Sequence, residues 1–260
     1  MKRAWLALWP LLLVAQPRLA SGRLESAAAG SNLTQQVRGT TGPAWVGYTI
    51  TAVPAQRDCG NTIHSLEGGQ APGLTESTAF LEGERTANIL MRIENGEVQR
   101  IRVFSPSCQL DIAGLTLHWL TSVRAADSIA FIRTLTEQRN MISAVAAHAD
   151  PAAELFLRET AESTTAARTD RDRTAHSLAL TRGASGLAIV RHLLDTDKDE
   201  RFRESLPGAL ALAPNNGGTS TLIDAARTDK NRKVRERAFF WLGRSKDPRA
   251  QKFVEEILAR

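Results

Sequence analysis

Apolar positions in the second half of the chain return at a fixed interval. Leu178, Leu210 and Leu242 stand 32 residues apart, as do Val190, Leu222 and Val254, and Leu193, Ala225 and Ile257. Thr196-Asp197-Lys198 returns at the same step as Thr228-Asp229-Lys230. A period of that size predicts stacked helix pairs. An upstream copy, Asp150-Pro151-Ala152-Ala153 with Phe156, Leu157 and Glu159, matches Asp247-Pro248-Arg249-Ala250 with Phe253, Val254 and Glu256, an offset of 97 or three periods plus one residue. About four helix pairs are therefore expected over 127–260. The pattern predicts helices over Ser128–Glu137, capped by Asp127 or Ser128, and over Asn140–Ala147. Asp150 then caps a helix with Pro151 in its first turn. Thr164–Arg173, polar and charged, reads as a loop, and three further pairs run from Thr174. In the third repeat Pro207 and Gly208 fall inside the helix expected over Phe202–Leu212, which removes a hydrogen bond and predicts an irregular unit.

The first half alternates with the period of strands. Trp45–Val53 is rich in aromatic and branched residues and stops at Pro54. Asp58–Thr78 holds many Gly and Ser residues and reads as a long loop. Ala87–Ile93 and Val98–Phe104 flank Asn95-Gly96, whose readiness for positive φ suits a two-residue hairpin turn. In the second of these strands Gln99, Ile101 and Val103 share one face and Arg100 and Arg102 the other. Leu115–Leu120 adds a short strand. A small β-rich domain over 45–123, followed by a mainly α region over 127–260, is the expected fold class.

Composition bears on the ends of the chain. Lys2 and Arg3 precede an apolar run from Ala4 to Ala15, with Ala15 and Ala20 as rival cleavage points, the pattern of a secretory signal over 1–20. The run is about a dozen residues, short of the roughly 20 that span a bilayer, so an exported, periplasmic or secreted protein without a transmembrane anchor is expected. Residues 21–44 hold few large apolar groups and read as a flexible leader. Asn32-Leu33-Thr34 fits the glycosylation acceptor pattern, relevant only in a eukaryotic secretory pathway. Losing Lys2, Arg3 and Arg18 lowers the formal charge from +5 to about +2, which weakens any nucleic-acid reading. Cys59 and Cys108 are the only cysteines; in an oxidising compartment they most simply form a disulfide. A metal site with His64 and His118, five and ten residues beyond them, is the rival, although zinc ligands usually stand closer together.

The last repeat, Asp229-Lys-Asn-Arg-Lys-Val234-Arg235 followed by Ala238-Phe239-Phe240-Trp241-Leu242-Gly243 and Asp247-Pro248-Arg249-Ala250, resembles a HEAT repeat of the bacterial phycobilisome-lyase type. The resemblance covers roughly 140–260 and is weaker in the first two repeats. It implies a right-handed HEAT-like α-solenoid of antiparallel helix pairs with a binding function. The layout is also similar to exported bacterial HEAT-repeat proteins. In such repeats an Asp and an Arg six residues apart hydrogen-bond between neighbouring units, which assigns Asp197, Arg203, Asp229 and Arg235 to a stacking ladder. The remaining cations of the last repeat, Lys230, Arg232, Lys233, Arg237, Arg244, Lys246, Arg249 and Lys252, are then a solvated face or a site for an acidic partner.

The search for catalysis finds little. No complete nucleophile elbow, P-loop or helical His pair is present, and no His is followed by the Glu that the iron-binding HEAT hydroxylases use. His148, His176 and His192 are single residues in amphipathic helical segments. A cysteine nucleophile with His64 or His118 as base is the one enzyme idea with residues behind it, and export with disulfide pairing argues against it. No cofactor, metal or catalytic residue is expected. The reading is an exported, non-catalytic scaffold or adaptor that binds a protein segment or small domain. An anionic-polymer or nucleic-acid binder using the basic last repeat, and an accessory subunit of an envelope enzyme, are the alternatives.

Overall fold

The computed structural model describes residues 17–28, 32–54, 63–68, 85–135 and 140–259. Among the described residues, six strands form one mixed sheet: β1 (Arg18–Ala28), β2 (Ala44–Thr51), β3 (Ile63–Ser65), β4 (Thr86–Glu94), β5 (Glu97–Phe104) and β6 (Gln109–Thr121), in the order β1-β6-β2-β4-β5, with β3 also on β6. The β4–β5 hairpin turns at Asn95 and Gly96, both at positive φ (51° and 76°), as the sequence predicts. One detail of the expected alternation is corrected. Between Arg92 and Ile93 the register shifts, so Gln99 is exposed while Val98 and Ile101 are both buried on one face. A bulge supplies the extra residue that makes this parity possible.

The expected leader over 21–44 is also corrected, since Arg18–Ala28 pairs in parallel with β6 and Leu33–Arg38 is helix α1, capped by the Asn32 side chain. Composition misled because a strand needs only one partly apolar face. Leu19 and Leu24 pack on the sheet's second core, and a register break around Ser21 brings both to that face. Gly22 holds φ at +95° in the break, where a Cβ would sit 2.5 Å from the Leu115 carbonyl. The Ala20 cleavage point thus falls inside β1, and residues 1–16 lie outside the described residues. So does most of the expected 58–78 loop, apart from β3 and the bend after it.

Alternate residues of β2 and β4 divide between two cores. Trp45, Leu90, Leu117 and Trp119 form a smaller cluster with Cys108 on one face. Val46, Tyr48, Ile50, Ile89 and Met91 join a larger one that continues through the helices to Phe253, so sheet and helices share a core.

The helices are α2 (Ala125–Ile132), α3 (Met141–Ala146), α4 (Pro151–Glu162), α5 (Arg168–Thr181), α6 (Gly183–Thr196), α7 (Glu200–Ala211), α8 (Thr219–Thr228), α9 (Arg232–Arg244) and α10 (Pro248–Leu258). From α3 onward they pair in sequence, and α3, α5, α7 and α9 each pack on the next in a row. Asp150, Asp199, Asn231 and Asp247 cap α4, α7, α9 and α10 through their side chains. Asp127 does not cap α2; it is bonded to Arg124 instead. The expected loop over 164–173 is shortened by α5, which begins at Arg168. Helix α7 runs unbroken through Pro207, so the irregularity expected of this repeat does not take the form of an interrupted helix. The irregular part of that repeat is its connection, where a 3-10 turn at Pro214–Asn216 puts Asn215 and Asn216 at positive φ.

Candidate functional site

The repeat period first expresses itself as a line of buried ion pairs. Arg203, from α7, donates from Nη2 to both carboxylate oxygens of Asp229 (2.9 and 2.8 Å) and from Nε to the Leu194 carbonyl (2.6 Å). Asp229 also accepts from the Asn231 backbone N–H at 2.7 Å, so its lone pairs are well used. One period earlier Arg171 repeats the arrangement with Asp197 and the Ala161 carbonyl, its guanidinium 3.9 Å above the Phe202 ring. Arg171 lies in the stretch read as loop; its step of 32 to Arg203 is the signal that marks it. One period later Arg235 meets no carboxylate among the described residues and instead donates to the backbone carbonyls of Asp229 and Lys230 (2.7 and 3.3 Å). Asp197, Arg203 and Asp229 are thus joined by cross-repeat pairs with Arg171 as the missed member, and Arg235 is a backbone clamp.

The eight basic residues of the last repeat do not converge on one site. Arg232 pairs with Glu236 (2.7 Å), Lys233 with Glu204 (3.7 Å) and Arg249 with Asp247 (2.6 Å). Arg244 lies 5.6 Å over the Phe240 ring. Lys230 lines a polar cleft with Asp195, Asp224 and Asp229. Arg237, Lys246 and Lys252 have no ion pair among the described residues. The side-chain bonds from Arg249, with its backbone N–H, hold the Asp247 carboxyl well below the usual carboxylate range, and Asp247 in turn raises Arg249.

An apolar groove opens on the row of α3, α5, α7 and α9. About 540 Å³ of it lies between Val103 of β5, Ala146 and Ala147 at the end of α3, His176 and Leu180 of α5, and Leu212 after α7. Leu180 and Leu212 are 51% and 50% exposed, a large apolar area to leave to water at two equivalent repeat positions. Further along the same row Phe240 is 49% exposed and stacks edge-on against Trp241, 5.4 Å away. Gly208 sits between them: a Cβ there would meet His176 Nε2 at 3.6 Å and Trp241 Nε1 at 3.5 Å. His176 donates from Nδ1 to the Asp172 carbonyl at 2.7 Å, leaving Nε2 as the ring nitrogen not used in that bond.

The residues weighed for chemistry lie apart. Cys108 is disulfide-bonded, and Cys59, the only other cysteine in the chain, lies outside the described residues. His64 packs against Phe104, 5.5 Å between ring centres, and His118 faces Glu25 at 3.4 Å. Among the described residues no group of three or more His, Cys, Asp or Glu could hold a metal ion, and no helix is long and apolar enough to cross a membrane. His192 is exposed on α6, whereas His148 is fully buried just beyond α3. There Ser128 Oγ lies 2.8 Å from His148 Nε2 and 2.7 Å from the Tyr48 hydroxyl. A Ser–His contact suggests nucleophilic catalysis, but all three side chains have no exposed surface and no substrate can reach them. The chain matches no protein-family model and no curated protein.

Proposed function

We propose that this chain is an exported, non-catalytic protein-interaction module, whose helical half is a HEAT-like α-solenoid that holds an apolar segment of a protein partner. The groove carries the reading: Leu180 and Leu212 leave about half their surface to water beside Val103, Ala146 and Ala147, in a concavity sized for a few apolar side chains. The paired helices, their shared 32-residue step and the buried Arg–Asp line support the solenoid. Its rigid rows present such a surface without the cost of ordering a loop. Export rests on the charged start and short apolar run of the first twenty residues.

Specificity comes from the rim, where Asp172 and Arg173 flank the groove and His176 offers a ring nitrogen. The basic last repeat is a weaker candidate for an anionic partner, because three of its cations already face carboxylates. The test is affinity capture from the native envelope fraction with three proteins: the parent, Leu180→Glu/Leu212→Glu, and Arg232→Gln/Lys233→Gln/Arg237→Gln/Arg249→Gln. Partners held by the parent should be lost from the first variant and kept by the second. The reverse pattern would replace the groove by the basic surface.

A further inference from the structure

The buried contact among Tyr48, Ser128 and His148 has no part in the groove, yet it joins three elements at the point where sheet meets helices. Tyr48 comes from β2 and Ser128 from α2. His148 follows α3 and forms an isolated bridge with Ala52. Backbone bonds flank the bridge, Val53 N–H to the Ala147 carbonyl (2.9 Å) and Ala149 N–H to the Thr51 carbonyl (3.0 Å).

Donors and acceptors fix the protons. The Ala144 carbonyl can only accept, so His148 Nδ1, 2.9 Å away, carries a hydrogen and donates it. In a neutral ring Nε2 then accepts, and Ser128 Oγ must be its donor. With its own hydrogen used, Ser128 Oγ accepts from Tyr48. Every hydrogen in the chain Tyr48, Ser128, His148, Ala144 is used once. A second proton on the ring makes Nε2 a donor to Ser128 Oγ; that oxygen can accept from His148 and Tyr48 together, but one hydroxyl hydrogen of the Tyr48–Ser128 pair is then left with no acceptor in the chain. A charge also enters a site without exposed surface.

The surrounding charges do not relieve this. Asp150, two residues on, attracts the extra proton. Arg182 opposes it, its guanidinium bonded to the Ala146 and His148 carbonyls (3.1 and 3.0 Å) and facing Glu154 across a cleft. Burial dominates and pushes the His148 imidazole below its ordinary value, while burial also keeps the Tyr48 phenol protonated.

We propose that Tyr48, Ser128 and His148 form an acid-sensitive latch, which holds the sheet to the α3–α4 corner while His148 is neutral and releases it when the ring gains a proton. The sign follows from linkage: the opened latch binds more protons than the closed one, so the closed form loses ground as pH falls below 6.5. If closure excludes the proton fully, opening becomes about twenty-fivefold more favourable at pH 5 than at pH 7.

Amide hydrogen exchange on the parent protein, corrected for the intrinsic pH dependence of exchange, reads this directly. Protection of the Val53 and Ala149 amides should fall between about tenfold and twenty-fivefold from pH 7 to pH 5, with amides inside α7 and α9 nearly unchanged. In His148→Gln, which has no proton to gain, the difference between the two pH values should vanish. NMR titration of the parent's His148 should give a midpoint below that of an exposed histidine. Equal protection at both pH values, uniform loss through all helices, or an ordinary His148 titration would overturn the latch, and these parent measurements stand even if His148→Gln does not fold.

Discussion

Replacing Arg203 by Met should cost far more than replacing any surface cation, because it leaves a buried carboxylate without its counter-charge. The two side chains are 3% and 5% exposed, and Asp229 would keep only the Asn231 N–H as a donor while the Leu194 carbonyl loses its partner. Breaking one side of a buried pair costs about 3 to 5 kcal/mol, a large share of the roughly 5 to 15 kcal/mol that holds a domain folded. Asp229→Leu should cost a similar amount by stranding the guanidinium. The double variant should cost less than the sum of the two, with a coupling of at least about 2 kcal/mol, since no unpaired charge remains. Arg232→Ala breaks the exposed pair to Glu236 and should cost about 0.3 to 0.5 kcal/mol. Arg235→Ala loses bonds to backbone carbonyls and should fall between, at about 1 kcal/mol. Urea unfolding followed by far-ultraviolet circular dichroism measures all five variants. If Arg203→Met costs no more than Arg232→Ala, the buried line does not hold the repeats together and the reasoning fails.

Three further outcomes are expected. Leu180→Glu/Leu212→Glu should keep its thermal midpoint within about 2 °C of the parent's, because surface changes rarely exceed about 0.5 kcal/mol, while the capture described above is lost; a large fall in midpoint would make the leucines structural instead. Gly96→Ala should destabilise the hairpin by more than about 1 kcal/mol in urea, since φ is +76° and the new Cβ would lie 2.7 Å from the Arg38 carbonyl; a neutral result would refute that turn geometry. Asp247, held low by Arg249, contributes stability that is complete above the ordinary carboxylate range and is lost as pH falls through and below it. Arg249→Gln should flatten that acid-side slope in thermal melts, and an unchanged slope would assign it to other carboxylates.

How far the sequence led depends on whether a feature is local or assembled. The Asn95-Gly96 hairpin and the Asp150-Pro151 and Asp247-Pro248 helix starts were legible because a few adjacent residues determine them. The 32-residue step was legible because each repeat buries equivalent positions such as Leu178, Leu210 and Leu242. Strand β1 was not, since its stability comes from β6, some 90 residues away, and from two leucines made to share a face by an irregularity that alternation does not foresee. Arg171 was hidden for another reason. It lies in a charged stretch that looks like loop, and its step of 32 to Arg203, the one mark it leaves in the sequence, gains its meaning from the buried partner Asp197 and the Phe202 ring around it.

The candidate groove shows the same division at the level of function. Leu180 and Leu212 stand 32 residues apart, so the period places them at equivalent positions. It does not predict that those positions face water. That depends on what stands opposite, and opposite them the row meets Val103 of the hairpin and the small residues Ala146 and Ala147 at the end of α3, which leave a hollow rather than a packed seam. The cations of the last repeat are the opposite case. Counting charges along the sequence made them conspicuous, while the acids that neutralise Lys233 and Arg249 come from α7 and from the turn before α10, where helix packing and capping place them. Arg232 and Arg249 have their acids within four residues, at Glu236 and Asp247, and Lys233 finds its partner Glu204 on another helix; the walls of the apolar groove all come from separate segments, which is why the sequence understates it. Exchanging Lys233 and Glu204 between the two positions tests this directly. If the pair in the fold matters more than the local count of cations, the exchange should leave stability and capture unchanged.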